Sequence, residues 1–139
     1  KNSDIGTLGN KISKVDFTDD NIVKVITEEN IKKKKISKAK KFLRNDKYTK
    51  KNIYGHIGIY QFKSSILKKF VSLKQTKNEI KYRLEQLRAI ENGINIDVVY
   101  SENKSFGIDT VQDYVEINHL HHNIQKNYFP LLIFFLLNY

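Results

Sequence analysis

The 139-residue chain has no cysteine, no methionine, no tryptophan and a single proline. Without cysteine it cannot form a disulfide, a thiolate metal site or a cysteine nucleophile, so we expect a reducing compartment, the cytoplasm. Its longest apolar run, at 129–137, is nine residues, whereas a membrane helix needs roughly 20. We therefore expect no membrane partner. A chain of this length has room for one ordinary hydrophobic core.

Positive charge is concentrated in one segment. Residues 32–51 hold ten lysines and Arg44 against one acid, Asp46, and so account for the whole formal charge of +10. A local basic cluster attracts phosphate groups, which makes a non-catalytic basic binding module one alternative. No zinc spacing or RNA-binding signature accompanies the cluster, and charge runs are commonly solvated. We therefore predict a lysine-rich loop and no nucleic-acid partner.

Three segments have the composition of strands. Residues 22–26, 53–62 and 94–100 are rich in β-branched and aromatic side chains. Residues 64–71 read as a short helix. Strict alternation along 53–62 predicts one face of plain core and an opposite face that carries an imidazole, a phenol and, between them, a glycine. The residues of that second face are Tyr54, His56, Gly58, Tyr60 and Phe62.

The clearest helix is predicted over 77–92. Thr76 and Glu79 have the spacing of a capping box, and Gly93 stands where a left-handed C-terminal cap belongs. Four apolar residues recur at helical spacing and predict one buried stripe. They are Ile80, Leu84, Leu87 and Ile90.

A last helix is predicted near Thr110 and Asp113, which have the spacing of a second helix start. Strands and helices then alternate along the chain, which favours an α/β sheet over an all-α or all-β architecture. Just before this helix, Asp109 is placed either to cap it or to present a carboxylate to a hard cation. Taken alone, capping is the commoner role, and Glu85 and Gln86 likewise read as a solvated helix face.

Four blocks occur together in a specific order. They are N-I-V-K-V-I-T at 21–27, H-I-G-I-Y-Q-F at 56–62, L-E-Q-L-R-A-I-E-N-G at 84–93 and G-I-D-T at 107–110. This combination closely resembles the C-terminal half of the 3-deoxy-manno-octulosonate cytidylyltransferase (CMP-Kdo synthetase) family. The resemblance covers roughly residues 4–118. It implies a domain over 1–118 and leaves 119–139 as a divergent apolar tail.

The resemblance implies an incomplete Rossmann-like nucleotidyltransferase fold, the C-terminal half of a mixed sheet flanked by helices. It implies a magnesium-dependent transfer of CMP from CTP to an eight-carbon acidic sugar, with release of pyrophosphate, in lipopolysaccharide biosynthesis. Matched residue by residue, His56, Tyr60, Glu85 and Gln86 would bind the sugar, and Asp109 would bind Mg²⁺. For Glu85, the resemblance replaces the solvated face with a side chain that faces the pocket.

One family block is poorly matched. The pattern Y-F-S-R-S-x-I-P falls on residues 41–45, where Phe42 and Arg44 alone agree, and Arg44 is the remaining candidate for a sugar contact there. The family's nucleotide-binding half has no counterpart in these residues, so we expect a fragment that has no turnover alone. A homodimer is implied for the full-length enzyme. A cytidylyltransferase for another acidic sugar, such as a sialic acid, is the second alternative.

Overall fold

The structure is a computed structural model, and it describes residues 3–44, 51–102, 111, 114 and 115. The chain divides into two compact units, Lys1–Lys104 and Ser105–Tyr139. In the second unit the described residues, Val111, Tyr114 and Val115, are helical, which agrees with the helix predicted there. The predicted boundary at 118 lies outside the described residues. All elements named below belong to the first unit.

The first unit contains five strands and five short helices. The strands are β1 (Ile5–Asn10), β2 (Lys24–Thr27), β3 (Ile36–Leu43), β4 (Ile53–Phe62) and β5 (Ile96–Tyr100). The helices are α1 (Lys14–Thr18), α2 (Ile31–Lys34), α3 (Ser64–Ser72), α4 (Lys77–Tyr82) and α5 (Gln86–Glu91). The predicted strands therefore correspond to β2, β4 and β5, and the predicted short helix is α3.

The five strands form one mixed sheet whose hydrogen-bonded order, β1-β4-β2-β3-β5, closes on itself. β1 and β5 run parallel. The other four pairs, β1 with β4, β2 with β4, β2 with β3 and β3 with β5, are antiparallel. An α/β protein with a mixed sheet is thus confirmed.

Over residues 32–44, the described part of the lysine-rich segment, the chain forms α2 and β3, so the predicted loop is wrong there. Asn30 caps α2 by accepting a hydrogen bond from the Lys33 backbone amide. β3 then carries Ser37, Phe42 and Leu43 into the interior. Because the remaining lysines of β3 stay on the outer side, a half-buried strand accommodates them. The lysines of β3 hid this strand from the sequence pattern, because its apolar residues are few, although they are buried.

The predicted long helix is also interrupted. The capping box of Thr76 and Glu79 is present, and Gly93 has a φ of 71°, as predicted. The helix nevertheless stops at Arg83, which adopts a left-handed φ of 52°. The break redirects the apolar stripe: Leu84 is 2% exposed, whereas Ile80 is 62% exposed and lies outside the core. The orientation of α5 is therefore not a continuation of that of α4.

The core lies between the sheet and α5. Leu87 and Ala89 of α5 are buried together with Phe42, Ile5 and Ile96 of the strands. This contact fixes α5 against the β1, β3 and β5 part of the sheet, and the hydrogen bond from Gln86 to Tyr60 brings the start of α5 next to the end of β4.

Candidate functional site: a pocket at the end of strand β4

The pairing of β1 with β4 is interrupted in the middle. Thr7 lies opposite Tyr60 and the next residue, Leu8, lies opposite Ile57, so Gly58 and Ile59 have no direct partner on β1. This bulge breaks the strict alternation that the sequence predicts. Ile59, predicted to be core, is 57% exposed.

The predicted aromatic face survives the bulge. The ring centroids of His56 and Tyr60 are 5.5 Å apart, and those of Tyr60 and Phe62 are 6.1 Å apart. The structure therefore brings the imidazole and the phenol together on one side of the sheet. Tyr54, predicted on the same face, is buried in the core and packs edge-on against Tyr100.

His56 lies in a largely desolvated setting. Its Nε2 is 2.9 Å from Thr7 Oγ1, and its ring packs edge-on against Phe42 at a centroid distance of 5.0 Å. Burial disfavours the charged imidazolium and lowers the pKa of His56 to about 4. The ring is therefore neutral near pH 7, and it acts through hydrogen bonding rather than through charge.

Tyr60 connects the strand to α5. The side-chain amide of Gln86 donates a hydrogen bond to the Tyr60 hydroxyl, which in turn donates to Glu85 Oε1 at 3.3 Å. Burial and the neighbouring Glu85 carboxylate both raise the pKa of Tyr60 well above its usual range. The phenol therefore keeps its proton. Gln86 is buried, whereas Glu85 is exposed at the mouth of the site.

A buried ion pair holds α5 in this position. Arg88 Nη2 is 2.8 Å from Glu79 Oε1, and Glu79 is almost fully buried. The same guanidinium lies over the Phe70 ring at 4.5 Å and donates to the backbone oxygen of Leu73 at 3.3 Å. One side chain thus ties α3, α4 and α5 together.

A cavity of about 240 Å³ opens beside these residues. Its polar lining consists of Tyr60, Glu85 and Gln86. Its apolar lining consists of Ile5, Phe62, Leu67, Phe70, Val71, Ala89 and Ile96. Gln86 Oε1 is buried and has no hydrogen-bond partner among the described residues. An unpaired buried acceptor is costly, and this oxygen exposes almost no surface to the cavity, whose accessible lining is almost entirely apolar.

Arg44 is engaged with the protein itself. Its guanidinium donates to the backbone oxygens of Asp20, Asn21 and Arg83 at 3.2, 3.3 and 3.5 Å. The bond to Arg83 fastens Arg44 to the break between α4 and α5, two residues before Glu85. The structure therefore places the Arg44 guanidinium at the break between α4 and α5, where it donates to backbone oxygens.

The sequence reasoning missed three supporting residues. Thr7 contacts His56, Arg88 anchors α5, and Lys24 is completely buried with its ammonium donating to the backbone oxygens of Asp19 and, at 2.6 Å, of Arg44. The uncharged residues on both sides of Lys24 were a sequence signal for its burial. The sequence around Thr7 gave no signal of its contact with His56.

Within the described ranges, no group of three or more histidine, aspartate or glutamate side chains is arranged to hold a metal ion. Asp109, the predicted magnesium ligand, lies outside these residues. Among the same residues, no helix is long and apolar enough to cross a membrane.

Comparison with known sequences and structures identifies the family. A profile of the cytidylyltransferase family matches residues 1–120. The chain belongs to the cytidylyltransferase family. Relatives of this chain include a 3-deoxy-manno-octulosonate cytidylyltransferase of Thermodesulfovibrio yellowstonii, 44% identical over 121 residues that cover 81% of this chain and 47% of that protein. Another, from Bartonella quintana, is 39% identical over 120 residues, which cover 81% and 47%.

A solved structure is also similar. CMP:2-keto-3-deoxy-manno-octonic acid synthetase in complex with CTP superposes with a TM-score of 0.74 at 26% identity, covering 87% of this chain and 50% of that one. The resemblance recognised from the sequence blocks is thus confirmed. The chain spans about half the length of the curated relatives that it matches.

Proposed function

We propose that this chain supplies the sugar-binding part of a 3-deoxy-manno-octulosonate cytidylyltransferase, which transfers CMP from CTP to the sugar and releases pyrophosphate. One observation carries the proposal. Side chains from two distant segments, His56 and Tyr60 on β4 and Glu85 and Gln86 at α5, meet in one hydrogen-bonded and stacked group. These are the four residues that the family resemblance assigns to sugar binding.

The chemistry follows from phosphoryl transfer in general. The anomeric hydroxyl of the sugar attacks the α-phosphorus of CTP, a new oxygen–phosphorus bond forms, and the bond to the pyrophosphate leaving group breaks. Catalysis of such a step is mainly positioning and neutralisation of charge. His56, Tyr60, Glu85 and Gln86 hold the sugar through its hydroxyl groups, so that its anomeric oxygen faces the nucleotide.

Several parts of the proposal concern residues that the structure does not describe, or segments beyond this chain. Mg²⁺ would neutralise phosphate charge and would be held in part by Asp109, but the described residues provide no ligand set for it. No step of the proposed reaction is therefore assigned to the metal. A homodimer and a cytoplasmic location remain predictions, as does the absence of turnover by this chain alone.

A chimera tests the function. This chain would replace the matched 121 residues of the Thermodesulfovibrio yellowstonii relative. We expect pyrophosphate release that requires CTP, Mg²⁺ and 3-deoxy-manno-octulosonate together. Glu85→Gln should lower it at least tenfold, whereas the matched exposed change Glu28→Gln should leave it unaltered.

Two results would contradict the proposal. Preference of the chimera for a sialic acid over 3-deoxy-manno-octulosonate would assign the chain to another acidic sugar. Equal activity of the Glu85→Gln and Glu28→Gln chimeras would show that the group at α5 does not bind the sugar.

A further inference from the structure

The Thr7 hydroxyl lies among three groups that compete for one hydrogen atom. Its Oγ1 is 2.8 Å from the backbone oxygen of Ile59, 3.2 Å from that of Ile57 and 2.9 Å from His56 Nε2. Carbonyl oxygens only accept hydrogen bonds, and a hydroxyl has a single hydrogen to donate. The Thr7 hydrogen therefore points to a carbonyl oxygen, and the contact with His56 needs a hydrogen on Nε2.

The surroundings of Thr7 fix this arrangement. Thr7 is buried, so its hydroxyl has no route to bulk water. The two carbonyl oxygens flank Gly58, at the bulge where the regular pairing of β1 with β4 is interrupted. The bulge takes these carbonyl oxygens out of the regular ladder, and the single hydroxyl hydrogen can serve one of them, with that of Ile59 the nearer at 2.8 Å. Removing the hydroxyl would cost that hydrogen bond.

We propose that Thr7 is a positioning residue that holds His56 as the Nε2–H tautomer, so that Nδ1 presents its lone pair to a hydroxyl group of the substrate. The inference rests on the proposed function for the identity of that substrate, a polyhydroxylated acidic sugar. Nδ1 has no hydrogen-bond partner among the residues that the structure describes. It is therefore the nitrogen through which His56 meets a ligand.

This tautomer decides which part of the sugar His56 recognises. A neutral imidazole with a bare Nδ1 accepts a hydrogen bond from a hydroxyl and repels a carboxylate. The low pKa of His56 keeps the ring in this form near neutral pH. The exposed Glu85 carboxylate is an acceptor as well. His56 and Glu85 therefore read hydroxyl groups, and the sugar carboxylate must meet cationic groups elsewhere.

Nitrogen NMR of the uniformly ¹⁵N-labelled 139-residue chain at pH 7 reads the tautomer directly. Because the chain has four histidines, the spectrum of a His56→Gln variant identifies the His56 signals. We expect a protonated, pyrrole-type shift at Nε2 and an unprotonated, pyridine-type shift at Nδ1. The opposite pattern, or an imidazolium, in the unmodified chain would overturn the inference without any variant having to fold.

Three variants separate positioning from general stability. Thr7→Val should move the two His56 nitrogens to shifts averaged between tautomers, and Thr7→Ser should restore the original pattern. Thr27→Val removes another buried hydroxyl of the sheet, one that donates to the backbone oxygen of Glu29, and should change neither shift. An unchanged tautomer in folded Thr7→Val would refute the role of Thr7.

Adding 3-deoxy-manno-octulosonate distinguishes the inference from the function on which it rests. A shift of Nδ1 toward the hydrogen-bonded value, with Nε2 unmoved, supports both. The expected tautomer with no response to the sugar retains the role of Thr7 but counts against the sugar site. A response confined to Nε2 would contradict the assignment of Nδ1 as the ligand-facing nitrogen.

Discussion

The two halves of β4, residues 53–57 and 60–62, have different surroundings. Residues 53–57 pair with strands on both sides, β2 through Ile53 to Gly55 and β1 through Gly55 to Ile57. Residues 60–62 pair with β1, and Tyr60 and Phe62 line the cavity. The bulge at Gly58 separates them. One strand thus contributes a packed half to the core and an open half to the site, and His56 stands at the border.

Acid should have the largest effect on this contrast, through His56 in the packed half. The pKa of His56 is about 4 in the folded state and 6.5 as the reference. As pH falls below 6.5 the unfolded chain takes up the proton first, so the free energy of unfolding decreases until about pH 4. The full change is about 3 kcal/mol.

Urea unfolding of the chain and of His56→Gln at several pH values measures this effect. The difference in stability between the two proteins should shrink between pH 6.5 and 4. A constant difference over that range would mean that His56 is not buried as a neutral group.

Gly9→Ala should have the next largest effect, because Gly9 packs behind the same half. A Cβ there would lie 3.0 Å from Val98 Cγ1 and 3.4 Å from Ile31 Cδ1, both on buried side chains. Overpacking of a rigid core costs about 2 kcal/mol. We expect a clear decrease in the midpoint of thermal unfolding.

Gly58→Ala is the matched control from the bulge. A Cβ at Gly58 has no neighbouring atom within 4 Å among the described residues. The free energy of unfolding of Gly58→Ala should differ from that of the original chain by no more than about 0.5 kcal/mol, so its midpoint of thermal unfolding should hardly change. Equal losses for Gly9→Ala and Gly58→Ala would remove the proposed distinction between the two halves.

Tyr60→Phe should have a smaller effect on stability than Gly9→Ala, and a specific effect on the site. The change removes the hydroxyl that joins Gln86 to Glu85 and leaves the Gln86 amide without its partner. A lost hydrogen bond of this kind costs about 1 kcal/mol. Calorimetric unfolding of Tyr60→Phe beside Tyr82→Phe, whose ring is largely exposed, checks the value. Identical unfolding curves would contradict the hydrogen-bonded link.

Sequence patterns predicted the helices and strands whose apolar or aromatic residues are not interrupted by many charged ones. β4 was found with its observed bounds, and the capping box located the start of α4. β3 was missed because its buried residues are separated by lysines. β1 was missed as well, since its sequence, IGTLGN, is short and carries two glycines. A local sequence pattern cannot identify residues that form a strand only because neighbouring strands pair with them.

The site was predicted in part, for a related reason. Alternation placed His56 and Tyr60 on one face, and the family resemblance added Glu85 and Gln86. The contact of Thr7 with His56 depends on a register shift between strands that are far apart in sequence, and no local pattern encodes it. The break at Arg83 escaped as well, because a left-handed arginine has no sequence signature, unlike the glycine at 93.

Titration of the 139-residue chain with 3-deoxy-manno-octulosonate, followed through the ring signals of His56 and Tyr60 by NMR, tests the sugar site most directly. We predict saturable shifts of the signals of both rings. The affinity for the sugar obtained from them should fall at least tenfold in Glu85→Gln and stay unchanged in Glu28→Gln. Absence of any saturable shift at these rings, in a chain whose other signals show that it is folded, would contradict the account.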